Sequence, residues 1–314
     1  MSGASASPSR RASLRTIVRR AFTGEAKLSR GSTVLVAVSG GPDSMALLDV
    51  AASLAESFGL IVHAHGVDHG LRTSAGAELD LAASLAERLG VPFGRTATSV
   101  GRGGNLQARA RAARWEALAG AARGCGAVAI ATAHHADDRA ETLLLRLLRG
   151  AGARGLAVMP PRAPAPGALD LEVVRPLLRA RKADIHAHVM RRRLSHAEDP
   201  SNADPRFLRT RVRRELMPLL EALDPAVVRH LEQLSDELLE HVEPRSGPAA
   251  DVLPPEAASL AWAAGLPRAT QVALGSLLRS RASNARVWLP GGLVVARDAR
   301  ARSRGGATSV RAKA

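Results

Sequence analysis

The chain has 314 residues, of which 46% are hydrophobic, so it has room for one full α/β domain and a smaller companion. No apolar run approaches the ~20 residues of a membrane-spanning helix, and the single cysteine, Cys125, excludes an internal disulfide or a cysteine-ligated cluster. A net charge of +15 favours a polyanionic partner such as RNA, although the scarcity of lysine among the basic residues is also typical of a GC-rich genome.

Residues 1–24 are rich in serine and arginine and contain no acidic side chain. This composition predicts a basic, disordered arm over residues 1–28 that adds contacts to RNA, with an organelle transit peptide as the alternative. The segment has no apolar core of the secretory type, so we expect a cytoplasmic protein.

A short apolar run at 33–38, rich in β-branched residues, predicts a strand that is covered on both faces, and helical spacing starts behind residue 44. Between them lies a segment that we name the phosphate loop: Ser39, Gly40, Gly41, Pro42, Asp43 and Ser44. Its glycines let the main chain approach a ligand closely, and its proline suits the first turn of a helix. We expect the loop N–H groups to converge at the positive end of the helix dipole, where a phosphate would bind.

Strand and helix patterns alternate from this point on. Strands are predicted near 33–38, 60–65, 91–98, 127–132 and 171–175, and helices near 44–57, 75–89, 105–123 and 137–148. Gly59, Gly90 and Gly124 stand behind three of these helices as stop signals. Such alternation predicts an α/β fold with a doubly wound parallel sheet. Residues 160–170 are expected to form a loop, because they are too rich in proline to pair.

From residue 182 the pattern turns helical, over 183–193, 207–223 and 226–242. Residues 243–256 hold four prolines and predict a linker. Behind it we expect helices near 256–264 and 268–281 and a hairpin over 287–295. The predicted domains are therefore 29–220, an α/β domain that carries the phosphate loop, and 221–314, a smaller and mostly helical domain.

Five further motifs follow the phosphate loop. They are 67–72 (VDHGLR), 131–142 (ATAHHADDRAET), 149–156 (RGAGARGL), 175–178 (RPLL) and 198–202 (EDPSN), with Phe207, Leu208, Arg209 and Arg213 behind the last. The phosphate loop is similar to the SGGxDS loop of the N-type ATP pyrophosphatases, and it lacks the lysine of a GxxxxGK[ST] loop. In order and spacing the motifs resemble the tRNA(Ile)-lysidine synthetases over roughly residues 30–220, in a short form of that family.

This resemblance implies a reaction in two steps. The wobble cytidine of an isoleucine tRNA with a CAU anticodon is first adenylated by ATP, and free L-lysine then displaces AMP to give lysidine. The implied requirements are a pyrophosphate cradle, Mg²⁺ and a pocket that aims a lysine amine. The implied partners are this tRNA and lysine, with no membrane, and a homodimer is left open.

Asp43 is the only carboxylate of the phosphate loop, which makes it a candidate Mg²⁺ ligand beside the ATP phosphates. The alternative is an acidic residue that stabilises a helix N-terminus. Asp138 and Glu141 stand three residues apart on a predicted helix and therefore face one side. The resemblance assigns lysine binding to both, and helix capping is again the alternative.

Arg114 is a candidate clamp for a phosphate or for the substrate carboxylate. The next residue, Trp115, stands where the family usually has tyrosine. Arg139 departs from a usual glutamine, and it would place an extra cation beside the lysine pocket unless it points away or meets a phosphate.

His69 and His134 are expected to orient nucleotide or base by hydrogen bonds, with His69 near ATP; the spacing of their neighbours does not favour zinc. For the tRNA backbone the candidates form an arginine cluster at the start of the helical part, with a solvated charged face as the alternative. They are Arg191, Arg192, Arg193, Arg209, Arg211, Arg213 and Arg214.

Two other functions are weighed against the ligase. A sister enzyme that thiolates or amidates would need cysteine pairs or a glutaminase partner, and the sequence has neither. A non-catalytic RNA-binding protein on the same fold would be expected to lose Asp43 or the pair Asp138 and Glu141, and all three are present.

Overall fold

The computed structural model describes residues 12–68, 70, 75–99, 106–197 and 207–241, and the backbone of three strands near the carboxyl end. The strands are β1 Thr33–Val38, β2 Ile61–Asp68, β3 Phe93–Ala97, β4 Ala127–Ala131, β5 Arg162–Ala165, β6 Ala168–Val174, β7 Arg286–Trp288, β8 Val294–Arg297 and β9 Val310–Lys313. The helices are α1 Leu14–Thr23, α2 Pro42–Phe58, α3 Ala75–Arg88, α4 Leu106–Gly124, α5 Ala136–Leu147, α6 Ala153–Leu156, α7 Lys182–Arg192, α8 Leu208–Arg211, α9 Met217–Leu223 and α10 Val227–His241. No helix in these ranges is long and apolar enough to cross a membrane.

Six strands form one sheet in the order β3-β2-β1-β4-β6-β5. All neighbouring pairs are parallel except β5 with β6, so the predicted doubly wound parallel sheet is confirmed. The chain moves outward from β1 to β3 on one side and then returns to β4 on the other side of β1. The carboxyl ends of β1 and β4 therefore border the switch point of the topology, where sheets of this type bind ligands.

The central strand β1 is buried on both faces because its apolar side chains alternate between two cores. Val34, Val36 and Val38 pack with residues of α1, α2, α3 and α7. Leu35 and Ala37 point to the opposite face and pack with residues of α4. An uninterrupted apolar run thus serves two layers of helices, as expected for a parallel sheet.

The expectation of an unpaired loop at 160–170 is wrong, because residues 162–165 form β5 and pair antiparallel with β6. Gly167, with φ of 77°, lies in the turn that joins them. Pro164 is tolerated because β5 is an edge strand and its register shifts at the next residue. The prolines of residues 160–170 therefore exclude a central strand but are compatible with an edge strand.

The predicted disordered arm is wrong over residues 14–23, which form α1. Ser13 caps the helix by accepting from the N–H of Thr16. Leu14, Val18 and Phe22 are buried in the core, and the rings of Phe22 and Phe58 meet edge to face at 5.8 Å. The apolar stripe was hidden in an arginine-rich composition, and residues 1–11 lie outside the described part of the chain.

The chain divides into two compact units, Met1–Val242 and Glu243–Ala314. The first unit extends beyond the predicted boundary at 220, because α10 packs on α5 through Val228 and apolar residues of α9. The helix predicted over 207–223 is observed as α8, a π-helical turn at 212–216 and α9. A π-helical turn contains about one residue more than an α-helical turn, so the side chains that follow it are rotated about the helix axis relative to a regular α-helix. Where π-helical turns occur, they are often found at functional sites.

In the second unit, β7, β8 and β9 pair antiparallel. Trp288 pairs with Val294 and Val287 with Val295, within the segment for which the hairpin is predicted. The helices predicted near 256–264 and 268–281 lie outside the described residues.

Candidate active site

The phosphate loop lies at the carboxyl end of β1, directly before α2. Gly40 has a φ of 81°, and a Cβ at this position would lie 2.3 Å from the carbonyl oxygen of Glu78, so only glycine fits. The Ser44 hydroxyl donates to the carbonyl oxygen of Gly41 at 2.9 Å and accepts from the N–H of Ser39 at 3.1 Å. These two bonds close the loop and hold the start of α2 in place.

In the first turn of α2, two N–H groups have no acceptor among the residues that the structure describes. Pro42 is the first helical residue and has no N–H, and Gly41 before it makes no side-chain cap. Among the described residues, no carbonyl accepts from the N–H of Asp43 or Ser44. These donors and the positive helix end form a site for an anion such as a phosphate group.

Asp43 fits the predicted role of a cation ligand. Its Oδ1 is buried and accepts no hydrogen bond within the described residues. Burial raises the pKa of Asp43, His135 opposes that rise, and the charge of Asp138 adds to it. A buried carboxylate oxygen without a donor is suited to Mg²⁺. No group of three or more metal-ligating side chains occurs in the described ranges, so this ion would depend on Asp43 and on substrate phosphates.

His135 links the phosphate loop to α5, a role that was not predicted from the sequence. It is buried and caps α5, because its Nδ1 accepts from the N–H of Asp138 at 3.3 Å while Asp138 accepts from the N–H of His135. The other ring nitrogen, Nε2, lies 3.8 Å from Asp43 Oδ2 and 3.5 Å from Asp138 Oδ2. The spacing of a cap and an acidic residue three positions later, before an apolar helix, was the signal that could have found it.

Asp138 and Glu141 lie on one side of α5, and both are held by arginines. Arg213 donates to both oxygens of Glu141, at 2.6 and 3.0 Å. Arg209 bridges the pair, at 3.1 Å to Glu141 Oε2 and 3.1 Å to Asp138 Oδ1. Burial raises the pKa of Asp138, but His135 and Arg209 outweigh it and hold this pKa below its ordinary value. Asp138 is therefore ionised at neutral pH.

Several arginines of the predicted RNA-binding cluster thus have partners within the protein. Besides Arg209 and Arg213, Arg211 pairs with Glu215 at 2.9 Å. From α7, Arg192 contacts Asp49 at 3.1 Å. Arg193 and Arg214 make no ion pair in the described part of the chain, and they remain candidates for a phosphate backbone.

Arg139 points away from the proposed lysine pocket. It is fully buried, its NH2 lies 2.7 Å from Asp236 Oδ1 on α10, and its Nε donates to the carbonyl oxygen of Val158 at 3.2 Å. The extra cation that the sequence analysis placed beside the pocket is therefore neutralised on the opposite side of α5.

Other predicted site residues lie around the carboxyl end of β4. His134 Nδ1 is 2.9 Å from the hydroxyl of Thr132. Arg114 lies on α4 at the edge of its buried face, where burial and the charge of Arg111 lower its pKa, and its charge acts on His134. Trp115 lies on the buried face of α4 and packs in the core, so the replacement of the usual tyrosine by tryptophan affects core packing. His69 lies outside the described residues.

We expect His134 to make stability depend on pH. Burial lowers its pKa to about 4 from 6.5, and the charges of Arg175 and Arg114 contribute. Between these values the unfolded chain binds a proton that the folded chain does not, so stability falls as pH falls from 6.5 toward 4, by up to about 1.4 kcal/mol per pH unit. The variant His134→Asn should show a smaller loss between pH 7 and pH 5 in urea unfolding.

Equal pH dependence in wild type and His134→Asn would show that another group titrates in this range.

Comparison with known proteins agrees with this geometry. The PP-loop domain family matches residues 14–220. A tRNA(Ile)-lysidine synthase of Novosphingobium aromaticivorans is 43% identical over 199 residues, which are 63% of this chain and 60% of that protein. One of Thermobifida fusca is 38% identical over 268 residues, 83% of this chain and 80% of that protein.

Among solved structures, the U34-tRNA thiolase NcsA of Methanococcus maripaludis, with its [4Fe-4S] cluster, matches with a TM-score of 0.62. The match covers 74% of this chain and 80% of the thiolase at 18% identity. At this identity the likeness shows a shared fold. The match to the Novosphingobium protein spans less than two thirds of that protein's length.

Proposed function

The chain belongs to the PP-loop family and, within it, to the tRNA(Ile)-lysidine synthases, and on this premise we propose that it ligates free L-lysine to C2 of the wobble cytidine of tRNA(Ile) with a CAU anticodon. The product, lysidine, pairs with adenine, so that the tRNA decodes AUA in place of AUG. ATP, lysine and tRNA occur together in the cytoplasm, which is the proposed place of action.

One observation carries the proposal. His135 lies within 3.8 Å of Asp43 in the phosphate loop and within 3.5 Å of Asp138 in the carboxylate pair. The N-termini of α2 and α5 thus meet at the switch point of the sheet, so that the proposed anion site and the proposed cation site would adjoin there. A reaction that joins a nucleotide phosphate and an amine at one base requires this combination.

In the first step, O2 of the cytidine attacks the α-phosphorus of ATP, and the bond from this phosphorus to the bridging oxygen of pyrophosphate breaks. The phosphate loop is suited to hold the pyrophosphate, because the N–H groups of Asp43 and Ser44 have no acceptor in the described structure. Mg²⁺, held by Asp43, would neutralise charge on the phosphates. The base then carries AMP on O2, a good leaving group for displacement at C2.

In the second step, the neutral ε-amine of lysine attacks C2, the C2–O2 bond breaks so that AMP leaves with O2, and the excess proton on the nitrogen passes to water. Asp138 and Glu141 attract the cationic side chain into place. Arg209 and Arg213 lie against the same carboxylates. Their positive charges would lower the pKa of the bound amine and so favour its neutral, nucleophilic form. The four side chains together would hold lysine and prepare it for attack.

We expect wild-type protein to incorporate labelled lysine into an unmodified tRNA(Ile) CAU transcript with ATP and Mg²⁺, and to release AMP and pyrophosphate. Asp138→Asn should lower incorporation by about 10²-fold or more, because the amide cannot pair with the amine. Asp80→Asn is the control, since Asp80 on α3 is exposed and pairs with exposed Arg95 on the edge strand β3, two strands away from β1.

The outcomes separate the candidate functions. Unchanged lysine incorporation by Asp138→Asn would support the ligase activity but exclude the proposed lysine pocket. Pyrophosphate release with no lysine in the tRNA would indicate a sister enzyme with another nucleophile. Binding of tRNA with no ATP turnover would indicate an RNA-binding protein without this activity.

A further inference from the structure

The helix that carries the proposed lysine pocket is anchored from its other side. Arg139 follows Asp138 directly, and no part of its side chain is exposed. At 3.6 residues per turn, Arg139 lies about 130° around α5 from the midpoint between Asp138 and Glu141. The pocket side and the anchored side of α5 are therefore separate surfaces of one helix.

The anchor is polar and lies in the interior. The guanidinium of Arg139 contacts Asp236 Oδ1 at 2.7 Å, and its Nε donates to the carbonyl oxygen of Val158. Ser235, beside Asp236 on α10, accepts from the N–H of Val158 at 3.2 Å and donates to its carbonyl oxygen at 3.1 Å. Two consecutive residues of α10 thus bind both α5 and the segment before β5.

The charge of this anchor is balanced by a specific partner. Burial raises the pKa of Asp236, but the hydrogen bond from Arg179 and the positive charge of Arg139 outweigh it and hold this pKa low. Asp236 is therefore ionised at neutral pH, and its negative charge balances the positive charge of Arg139. Arg179, at 2.5 Å from Asp236 Oδ2, is more than a third exposed and can be hydrated, whereas Arg139 cannot. Loss of Asp236 would leave Arg139 buried without its contacting carboxylate, and Glu232 on the same helix would be the carboxyl group that still acts on its charge.

We propose that Arg139 and Asp236 form a positioning pair that sets the rotation of α5 about its axis and thereby aims Asp138 and Glu141 at the lysine amine; the inference rests on the proposed function. Side-chain ends lie about 5–6 Å from a helix axis, so a rotation of about 10° displaces them by about 1 Å. A displacement of that size at a reacting group can lower a rate by about 10²-fold. Arg139 stands where the family usually has glutamine, and in this chain it is paired with a carboxylate of α10.

The test is a comparison of Arg139→Gln, Asp236→Asn and the double variant in steady-state kinetics with varied lysine and with varied ATP. We expect each single variant to lower kcat/KM for lysine at least 10-fold, with the KM for ATP within twofold of the wild type. In the double variant two neutral amides face each other, and activity should return to within about threefold of the wild type. Selective loss and rescue are effects that general destabilisation would not produce.

Arg123 and Asp170 provide a matched control, because they form a bidentate pair with both side chains more than half exposed. Arg123→Gln should leave both KM values unchanged. Wild-type kinetics in Arg139→Gln, or equal loss for lysine and ATP without rescue, would overturn the positioning role while leaving the ligase. No lysine incorporation by the wild type would instead show that the proposed function fails, and the positioning role with it.

Discussion

Replacement of Asp43 by asparagine should abolish most ATP-dependent turnover, by about 10²–10³-fold in kcat, without unfolding the protein. The amide keeps the size of the side chain but loses the charge that a cation on the phosphates would require. In the wild-type protein, Oδ1 of the Asp43 carboxylate is buried and accepts no hydrogen bond in the described structure. Pyrophosphate release in the presence of tRNA measures this step directly.

The loss of activity in Asp43→Asn should not be accompanied by a loss of stability. Because burial raises the pKa of Asp43, the ionised carboxylate is less favourable in the folded protein than in the unfolded chain at neutral pH. Removal of the charge should therefore leave the free energy of unfolding unchanged or increase it. Asp80→Asn serves as the control in both measurements. Normal pyrophosphate release by Asp43→Asn would exclude Asp43 from the ATP site.

Replacement of Asp49 by alanine should destabilise the first unit by about 3–5 kcal/mol. Asp49 is buried in α2, and His188 Nε2 lies 2.8 Å from its Oδ2. Arg192 donates to both oxygens at 3.1 and 3.2 Å. Without the carboxylate, His188 would remain buried beside Arg192 without an acceptor. Urea unfolding at neutral pH gives the free energy directly.

The same interaction has a defined pH dependence. Burial raises the pKa of Asp49, but hydrogen bonds from His188 and Arg192 outweigh it and hold the pKa below its ordinary value. Its stabilisation is therefore present above the pKa of the unfolded chain and is lost as pH falls through the lower pKa of the folded protein. Asp80→Ala, which breaks an exposed pair, should cost no more than about 1 kcal/mol. An equally small effect of Asp49→Ala would contradict the role assigned to its buried contacts.

Local patterns were sufficient for the central part of the fold. The apolar run at 33–38 and the glycines and proline behind it predict strand, turn and helix start from neighbouring residues alone, and the structure has β1, the phosphate loop and α2 in those places. The same holds for the carboxyl end of β4, where Asp138 and Glu141 lie on one side of α5. Each of these features depends on residues that are close in sequence.

Contacts between distant segments could not be read in this way. Arg209 and Glu141 are 68 residues apart, and no periodicity indicates that the arginine turns toward a carboxylate rather than toward RNA. The same is true of Arg139 and Asp236, whose pairing decides whether the arginine disturbs the pocket. For α1, composition obscured an apolar stripe that only the packed core makes evident.

The position of α10 has a practical consequence for the boundaries of the enzyme. The family match ends at residue 220, but the counter-charge of Arg139 lies at Asp236, and Val228 of the same helix closes the apolar contact with α5. A fragment cut at 220 would contain every residue of the proposed chemistry but would lack α10, and with it the carboxylate that Arg139 contacts. The segment that the family model matches is therefore smaller than the compact unit of the structure, which ends at Val242.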